Sequence, residues 1–350
     1  MGTVGLLALV SVRAEAAPCA QYAAPAGTVA VEGPVESSGL AWGRRDPSRW
    51  FTHDDSGGRP RLWSFSPGDA LAVAHPGDGL SFVDWEDLAA GPCTGAPGDC
   101  LFIADIGDNL AIRPFITVHE VEEPAPGAPL VVRASHVGRH PGGPVDAEAL
   151  LVHPCTGAID ILTKSATGDT AVHRLPPGGS VAAPAEMARI GALRLSEGPD
   201  AARQVTGADW SPDGSFVAVR TYAAIWVHAA TVGEDTGWWA TPGVALAGPD
   251  EAQGEAITVG AGGSLWTSSE GAPMPLHHTD CLVPAAGDTG CPPAPDTAPE
   301  APAGDSNPDG PPRARAGAGC GCAATPGAGG GAAVALGIAL LAGARRRPRR

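Results

Sequence analysis

The chain of 350 residues contains 49 Gly and 36 Pro, which interrupt helices and strands often enough to exclude a long helical bundle. Apolar residues reach 43%, sufficient to bury one large core. The formal charge is −16, but seven arginines without an acid in residues 311–350, and cancellation in residues 1–16, leave −23 on residues 17–310, a surface that repels nucleic acid.

In chain order, Val4 to Val12 form a short apolar run followed by Ala14-Glu15-Ala16, the small-x-small pattern of a signal peptide ending near residue 16. Residues 17–281 then carry a recurring unit: a short strand opened by small or acidic residues, a turn, and a second strand ending in a polar cluster. The copies begin at Glu36-Ser-Ser-Gly-Leu-Ala-Trp42, Asp84-Trp-Glu-Asp-Leu88, Asp146-Ala-Glu-Ala-Leu-Leu-Val152, Thr206-Gly-Ala-Asp-Trp210 and Gln253-Gly-Glu-Ala-Ile-Thr-Val259. Their second strands end at Asp54, Asp105, Lys164, Arg220 and Glu270, separated by 51, 59, 56 and 50 residues. That spacing fits a four-stranded antiparallel blade with its loops, and Arg61 to Phe65, Leu71 to His75, Phe115 to Val121, Leu130 to His136 and Ile225 to His228 supply outer strands. The expected fold is an all-β, five-bladed β-propeller, with room for part of a sixth blade between Thr170 and Gln204. The short fifth repeat is expected to be completed by Thr28 to Glu32, closing the ring.

Residues 282–319 are nearly all Pro, Ala, Gly, Asp, Thr and Ser and are expected to form a disordered stalk. Residues 320–350 run from Cys320-Gly-Cys322 through an apolar segment to Arg345, Arg346, Arg347, Arg349 and Arg350. This order resembles the MYXO-CTERM sorting signal of myxobacterial surface proteins, which implies a membrane segment, a C-terminal processing protease and anchoring at the cell surface. A retained single-span anchor is the alternative, and either places the body of the protein outside the cytoplasm. Six further cysteines in that body read as three disulfides. Cys93 with Cys100 and Cys281 with Cys291 are near neighbours in sequence, and Cys19 with Cys155 follows by elimination.

Trp-Ser-Pro-Asp-Gly at 210–214 is similar to the turn of TolB-type propeller repeats, and the strings DWEDLA, DIGDN, DAEALL and EAQGEAI resemble a group of uncharacterised secreted bacterial propellers. A relation to calcium-dependent propellers, the phytases and lactonase-like esterases among them, is implied at the level of fold.

A propeller gathers the starts of its innermost strands at one channel mouth. The repeats therefore bring together Glu36, Asp84, Glu86, Asp87, Asp146, Glu148, Asp209, Glu251 and Glu255, with Asp54, Asp105, Asp108, Asn109, Lys164, Arg220 and Glu270 at second-strand ends. Hard oxygen donors without His or Cys suit Ca²⁺ or Mg²⁺ rather than zinc, with Ca²⁺ the expected cofactor, and the expected metal ligands are Asp84, Glu86, Asp105, Asp108, Asn109, Asp146, Glu148, Glu255 and Glu270. Asp105-Ile-Gly-Asp-Asn109 is the leading single loop. Lys164, the sole lysine, and Arg220 either neutralise the acids or hold a small anionic ligand. Three functions follow: a surface propeller that binds a divalent cation, a Ca²⁺-dependent hydrolase of phosphate esters or lactones with Lys164, Arg220, Glu148 and Glu255 as catalytic candidates, or a metal-free scaffold for protein contacts.

Overall fold

The computed structural model describes residues 19–27 and 30–284. The expected signal segment, stalk and sorting sequence, and Cys291, lie outside them. Five antiparallel sheets of strands form a propeller. Blade I comprises Ser37–Trp42, Trp50–Asp54, Arg61–Phe65 and Val73–Pro76. Blade II comprises Trp85–Pro92, Asp99–Asp105, Ile116–Glu122 and Val132–Arg139. Blade III comprises Ala147–Val152, Ile159–Thr163, Asp169–Leu175 and Ala188–Arg194. Blade IV comprises Val205–Trp210, Phe216–Thr221, Ala224–Ala229 and Val244–Ala247.

Blade V joins Gly254–Val259, Leu265–Ser269 and Leu276–Thr279 to an outermost strand from the other end of the chain, Ala26–Gly27. Ring closure by the N-terminal segment is thus as expected, two residues earlier than the Thr28 to Glu32 assignment, with Val31 adding a bridge to Met274. The stretch from Thr170 to Gln204 holds no sixth blade. It supplies the outer half of blade III, a two-residue strand at Ala185–Glu186 parallel to the edge of blade II, and one short 3₁₀ turn at Asp200–Arg203.

Innermost and second strands are buried along nearly their whole length because a neighbouring blade covers each face, so polar alternation is absent from them. The apolar core is divided into five clusters, one between each consecutive pair of blades. Phe102 and Ala104 meet Leu150 and Ile161 between II and III, and Leu162 and Val172 meet Trp210 and Val219 between III and IV. Phe51 and Leu62 meet Leu88 and Ile103 between I and II, Phe65 meets Leu276 between V and I, and Phe216 meets Ile257 between IV and V.

Two disulfides join described residues. Cys93–Cys100 closes the first hairpin of blade II, as expected. Cys19 bonds Cys281 rather than Cys155, which overturns the pairings of Cys19 with Cys155 and of Cys281 with Cys291. The reason is the closure itself. Cys19–Tyr22 pairs antiparallel with Cys281–Pro284, so the two sulfurs meet across 262 residues of chain. Cys155 is disulfide-bonded as well. Such bonds persist in oxidising compartments. Among the described residues no helix is long and apolar enough to cross a membrane.

Candidate functional site

Every innermost strand slips register against its partner at the same place. The shift falls between Ser37 and Gly39, Trp85 and Asp87, Ala147 and Ala149, Val205 and Gly207, and Gly254 and Ala256. A bulge re-aims the residue it skips. The skipped residues are Ser38, Glu86, Glu148, Thr206 and Glu255, one per blade at equivalent positions at the start of the channel. They form a ring of three carboxyls and two hydroxyls.

Contacts run around this ring and its rim. The Ser38 hydroxyl donates to the Glu86 backbone carbonyl at 2.9 Å and lies 3.5 Å from Glu86 Oε2. Glu86 and Glu148 share a hydrogen bond, and burial, then the charges of Glu148 and Asp84, hold Glu86 well above the usual carboxyl range. Burial carries Glu148 up to about 7 against the pull of Lys164, whose Nζ donates to Glu148 Oε1 at 2.5 Å and stands 6.0 Å from the Tyr222 ring centre. Glu255 Oε1 accepts from Tyr222 Oη at 3.3 Å and from Gln253 Nε2 at 2.8 Å, and Gln253 Nε2 also bonds Glu270. Glu270, Asp54 and Asp55 in turn crowd Glu36, whose carboxyl is raised to about 7 by burial first and then by Asp55. Burial and Asp55 bring Asp84 up to about 6. Burial and mutual charge therefore hold the carboxyls of Glu36, Asp84, Glu86 and Glu148 above their ordinary range.

Two polar atoms of the bulge ring have no partner. Thr206 Oγ1 and Glu255 Oε2 are buried without a hydrogen bond, in residues that are 0% and 6% exposed. An unsatisfied buried oxygen costs about 1–3 kcal/mol, and both oxygens are able to accept a hydrogen bond or ligate an ion. Gly107 is the other local signature. A side chain there would overlap the carboxylates of Asp84 and Glu86, which converge where its Cβ would stand.

Glu86, Glu148 and Glu255 are in the ring, and Asp84, Glu36 and Glu270 are on its rim. The other expected ligands are engaged elsewhere. Asp105 is fully buried and accepts from Ser81 Oγ at 2.7 Å and the Asp84 amide at 3.1 Å, and it pairs with Arg113 at 2.9 Å. Asp108 accepts from the amides of Ile112 and Arg113, at 2.9 and 2.8 Å. Asp146 accepts from the Asp108 amide at 2.7 Å, and Asn109 is exposed. In the Asp105–Asn109 loop the carboxylates accept from backbone amides and Asp105 pairs with Arg113, the pattern of a self-capped turn. Arg220 is likewise consumed: it pairs with Glu251 and donates to the carbonyls of Ala256 and Ser268 at 2.7 and 3.0 Å, and burial lowers it to about 10.

Next to the ring residue Glu86, Asp87 is fully buried. Its Oδ1 accepts from the Leu88 amide, and its Oδ2 accepts from Leu150 and Ala208, tying blades II, III and IV together at 2.8 to 3.1 Å. Asp209 accepts from Thr258 Oγ1 and the Val259 amide, at 2.7 and 2.9 Å, and ties IV to V. Among the described residues, the one trio of His, Cys, Asp or Glu ligand atoms within 4.8 Å of one another is Cys93, Cys100 and Glu120, and its sulfurs are joined in a disulfide. The mouth thus presents carboxyls in adjoining pairs.

No family model matches the chain, and no curated protein does. Among solved structures it is similar to the PQQ-bound aldose sugar dehydrogenase of Streptomyces coelicolor, at 9% identity over 75% of this chain and 100% of that one, with a TM-score of 0.45. It is similar to a putative oxidoreductase (glucose dehydrogenase) of Thermus thermophilus, at 14% identity over 73% and 100% of the two chains, TM-score 0.37. It is also similar to the apo form of the soluble aldose sugar dehydrogenase of Escherichia coli, at 9% identity over 73% and 99%, TM-score 0.39. At these scores none of the three informs the chemistry of the mouth.

Proposed function

We propose that the protein is an exported propeller whose channel mouth binds a cation in place of protons on Glu36, Asp84, Glu86 and Glu148. The observation that carries this reading is the bulge ring, in which carboxyls sit against one another while Glu255 Oε2 and Thr206 Oγ1 have no partner. Like charges so close are relieved either by protons or by a positive ion. Among metals the all-oxygen set suits Ca²⁺, held through carboxyl pairs with water completing its shell.

Calorimetric titration with Ca²⁺ at pH 6 and pH 8, in buffers of different ionisation enthalpy, tests it. Binding should tighten at pH 8 and release protons at pH 6, and the E86Q/E148Q variant should lose it. A protein whose melting and calorimetry ignore cations at both pH values would be a scaffold instead. One observation favours a hydrolase as the second reading: Glu148 titrates at about 7, where a general base works best, with Lys164 beside it as the charge that would meet a small anionic substrate. Turnover of phosphate esters or lactones by the Ca²⁺-loaded protein, lost in E148Q, would establish it. Retention at the cell surface belongs to the same proposal and rests on residues 320–350; cell fractionation with and without that segment tests it.

A further inference from the structure

A cavity of about 320 Å³ lies where the second, third and fourth strands of blade II meet the segment leading into blade III. That volume is at the lower end of the roughly 300–1,000 Å³ of small-molecule sites. Phe115 and Val145 give it apolar wall, and Asp108, Arg113, Arg139 and Glu186 supply its charges. Gly142 and Gly143 border it with φ of +94° and +110°, and nothing stands within 4 Å of where a Cβ would be at either, so backbone alone edges the opening there.

His140 is the unfinished member of the lining. It is 7% exposed, its Nδ1 meets the Nδ1 of His173 at 3.1 Å, and its Nε2 is buried without a hydrogen bond. One of two facing Nδ1 atoms must be bare, and burial lowers His140 to about 4, so the ring is neutral at pH 7. The shared proton has two places. On His140 it leaves Nε2 a bare acceptor; on His173 it leaves His140 Nε2 an N–H donor. The charged groups of the lining, by contrast, have their partners: Arg113 pairs with Asp105 at 2.9 Å, Arg139 with Glu186 at 2.8 Å, and Asp108 accepts from two amides.

We infer that this cavity binds a small uncharged ring polyol, a monosaccharide or cyclitol, with one hydroxyl on His140 Nε2, further hydroxyls on Arg139 and Glu186, and a C–H face on Phe115. A hydroxyl both donates and accepts, so it completes Nε2 in either tautomer; a carboxylate only accepts and an ammonium only donates. A ligand of net charge would also lose its hydration without meeting an unmatched counter-charge. The Arg139–Glu186 pair is more than half exposed, an ion pair of the weakly held kind, and a guanidinium and a carboxylate keep donors and acceptors to spare for neighbouring hydroxyls. None of Glu36, Glu86, Glu148 and Glu255 lines the cavity, so this site stands apart from the cation reading.

The test is calorimetry and imidazole nitrogen resonance spectroscopy on the full chain with its disulfides intact, using myo-inositol, glucose, cyclohexanol, acetate and methylammonium as probes. Inositol or glucose should saturate one site and drive His140 into a single tautomer, and cyclohexanol, a ring of the same size with one hydroxyl, should bind about tenfold more weakly. His140→Phe keeps a ring in place and removes Nε2, and should weaken polyol binding about five- to tenfold. If that variant does not fold, Arg139→Ser/Glu186→Ser decides, because both side chains are exposed and their loss leaves the fold intact; polyol binding should again fall about five- to tenfold. Cyclohexanol bound as tightly as the polyols, acetate or methylammonium bound in their place, polyol binding unchanged in the variants, or no saturable binding of either polyol would each overturn the inference. Polyol binding that Ca²⁺ displaces would place the polyol on the carboxyl ring and overturn it as well, whereas a protein that binds polyol and ignores Ca²⁺ would retain this site and lose the cation reading alone.

Discussion

Glu86 and Asp87 are consecutive acids in one strand, both buried, and they behave as two different regions of the molecule. Asp87 is surrounded by donors, three backbone amides from three blades, and its carboxylate acts as a rivet. Glu86 faces the carboxyls of Glu148 and Asp84, with one long hydrogen bond from the Ser38 hydroxyl to its Oε2. The one-residue step follows from the bulge, which turns Glu86 toward the mouth and leaves Asp87 in the channel. Burial alone therefore says nothing about function here. What separates a structural acid from a binding acid is whether the fold supplies its donors.

The sharpest way to break that distinction is to remove the rivet. Asp87→Ala leaves three amides of the channel unpaired and should cost on the order of 4 kcal/mol in urea unfolding. A loss under about 1 kcal/mol would mean that water replaces the carboxylate and that the contrast with Glu86 is illusory. The ring closure comes next: replacing Cys19 and Cys281 together by Ser should cost about 2–5 kcal/mol, because the bond closes nearly the whole domain.

Smaller, and opposite in sign, is the effect of neutralising the mouth. Carboxyls raised in the fold stabilise it while protonated, so this contribution is complete below about 4.5, their ordinary value, and is lost as pH rises through about 7 for Glu36 and Glu148. Buried histidines run the other way: His140, lowered by burial to about 4, withdraws its contribution as pH falls below 6.5. A difference between proteins isolates the ring. Glu148→Gln should raise the melting temperature relative to the parent at pH 8 without added cation, and the gain should vanish at pH 4. A variant that melts lower at both pH values would show that Glu148 is held by Lys164 as firmly as Asp87 is held by amides. Smallest of all, Leu110→Ser/Ile112→Ser should move unfolding by no more than about 0.5 kcal/mol, since both side chains are exposed.

The repeat period was legible because each blade must bury its inner strands between neighbours, which writes the same short apolar run five times. Glu86, Glu148 and Glu255 were legible as acids at matching positions of those runs. Ser38 and Thr206 occupy the same positions and were missed, because a search for charge passes over hydroxyls; aligning SSG, WED, AEA, VTG and GEA on the bulge would have found them. The fate of Asp105 and Asp108 was not legible. Whether a turn caps itself depends on backbone geometry that composition does not carry. A second period also went unread: His119, His173, His228 and His278 stand on the third strands of blades II to V, 54, 55 and 50 residues apart. The Cys19–Cys281 pairing was within reach of the sequence, since a ring closed by its N-terminal segment must bring the two ends together.

That last feature governs how the molecule can be made. The strand at Ala26–Gly27 has nothing to pair with until Leu276–Thr279 has emerged. A chain threaded N-terminus first across a membrane would hold four assembled blades open, and only the arrival of its final strands in the outer compartment would let thiol oxidation lock the circle shut.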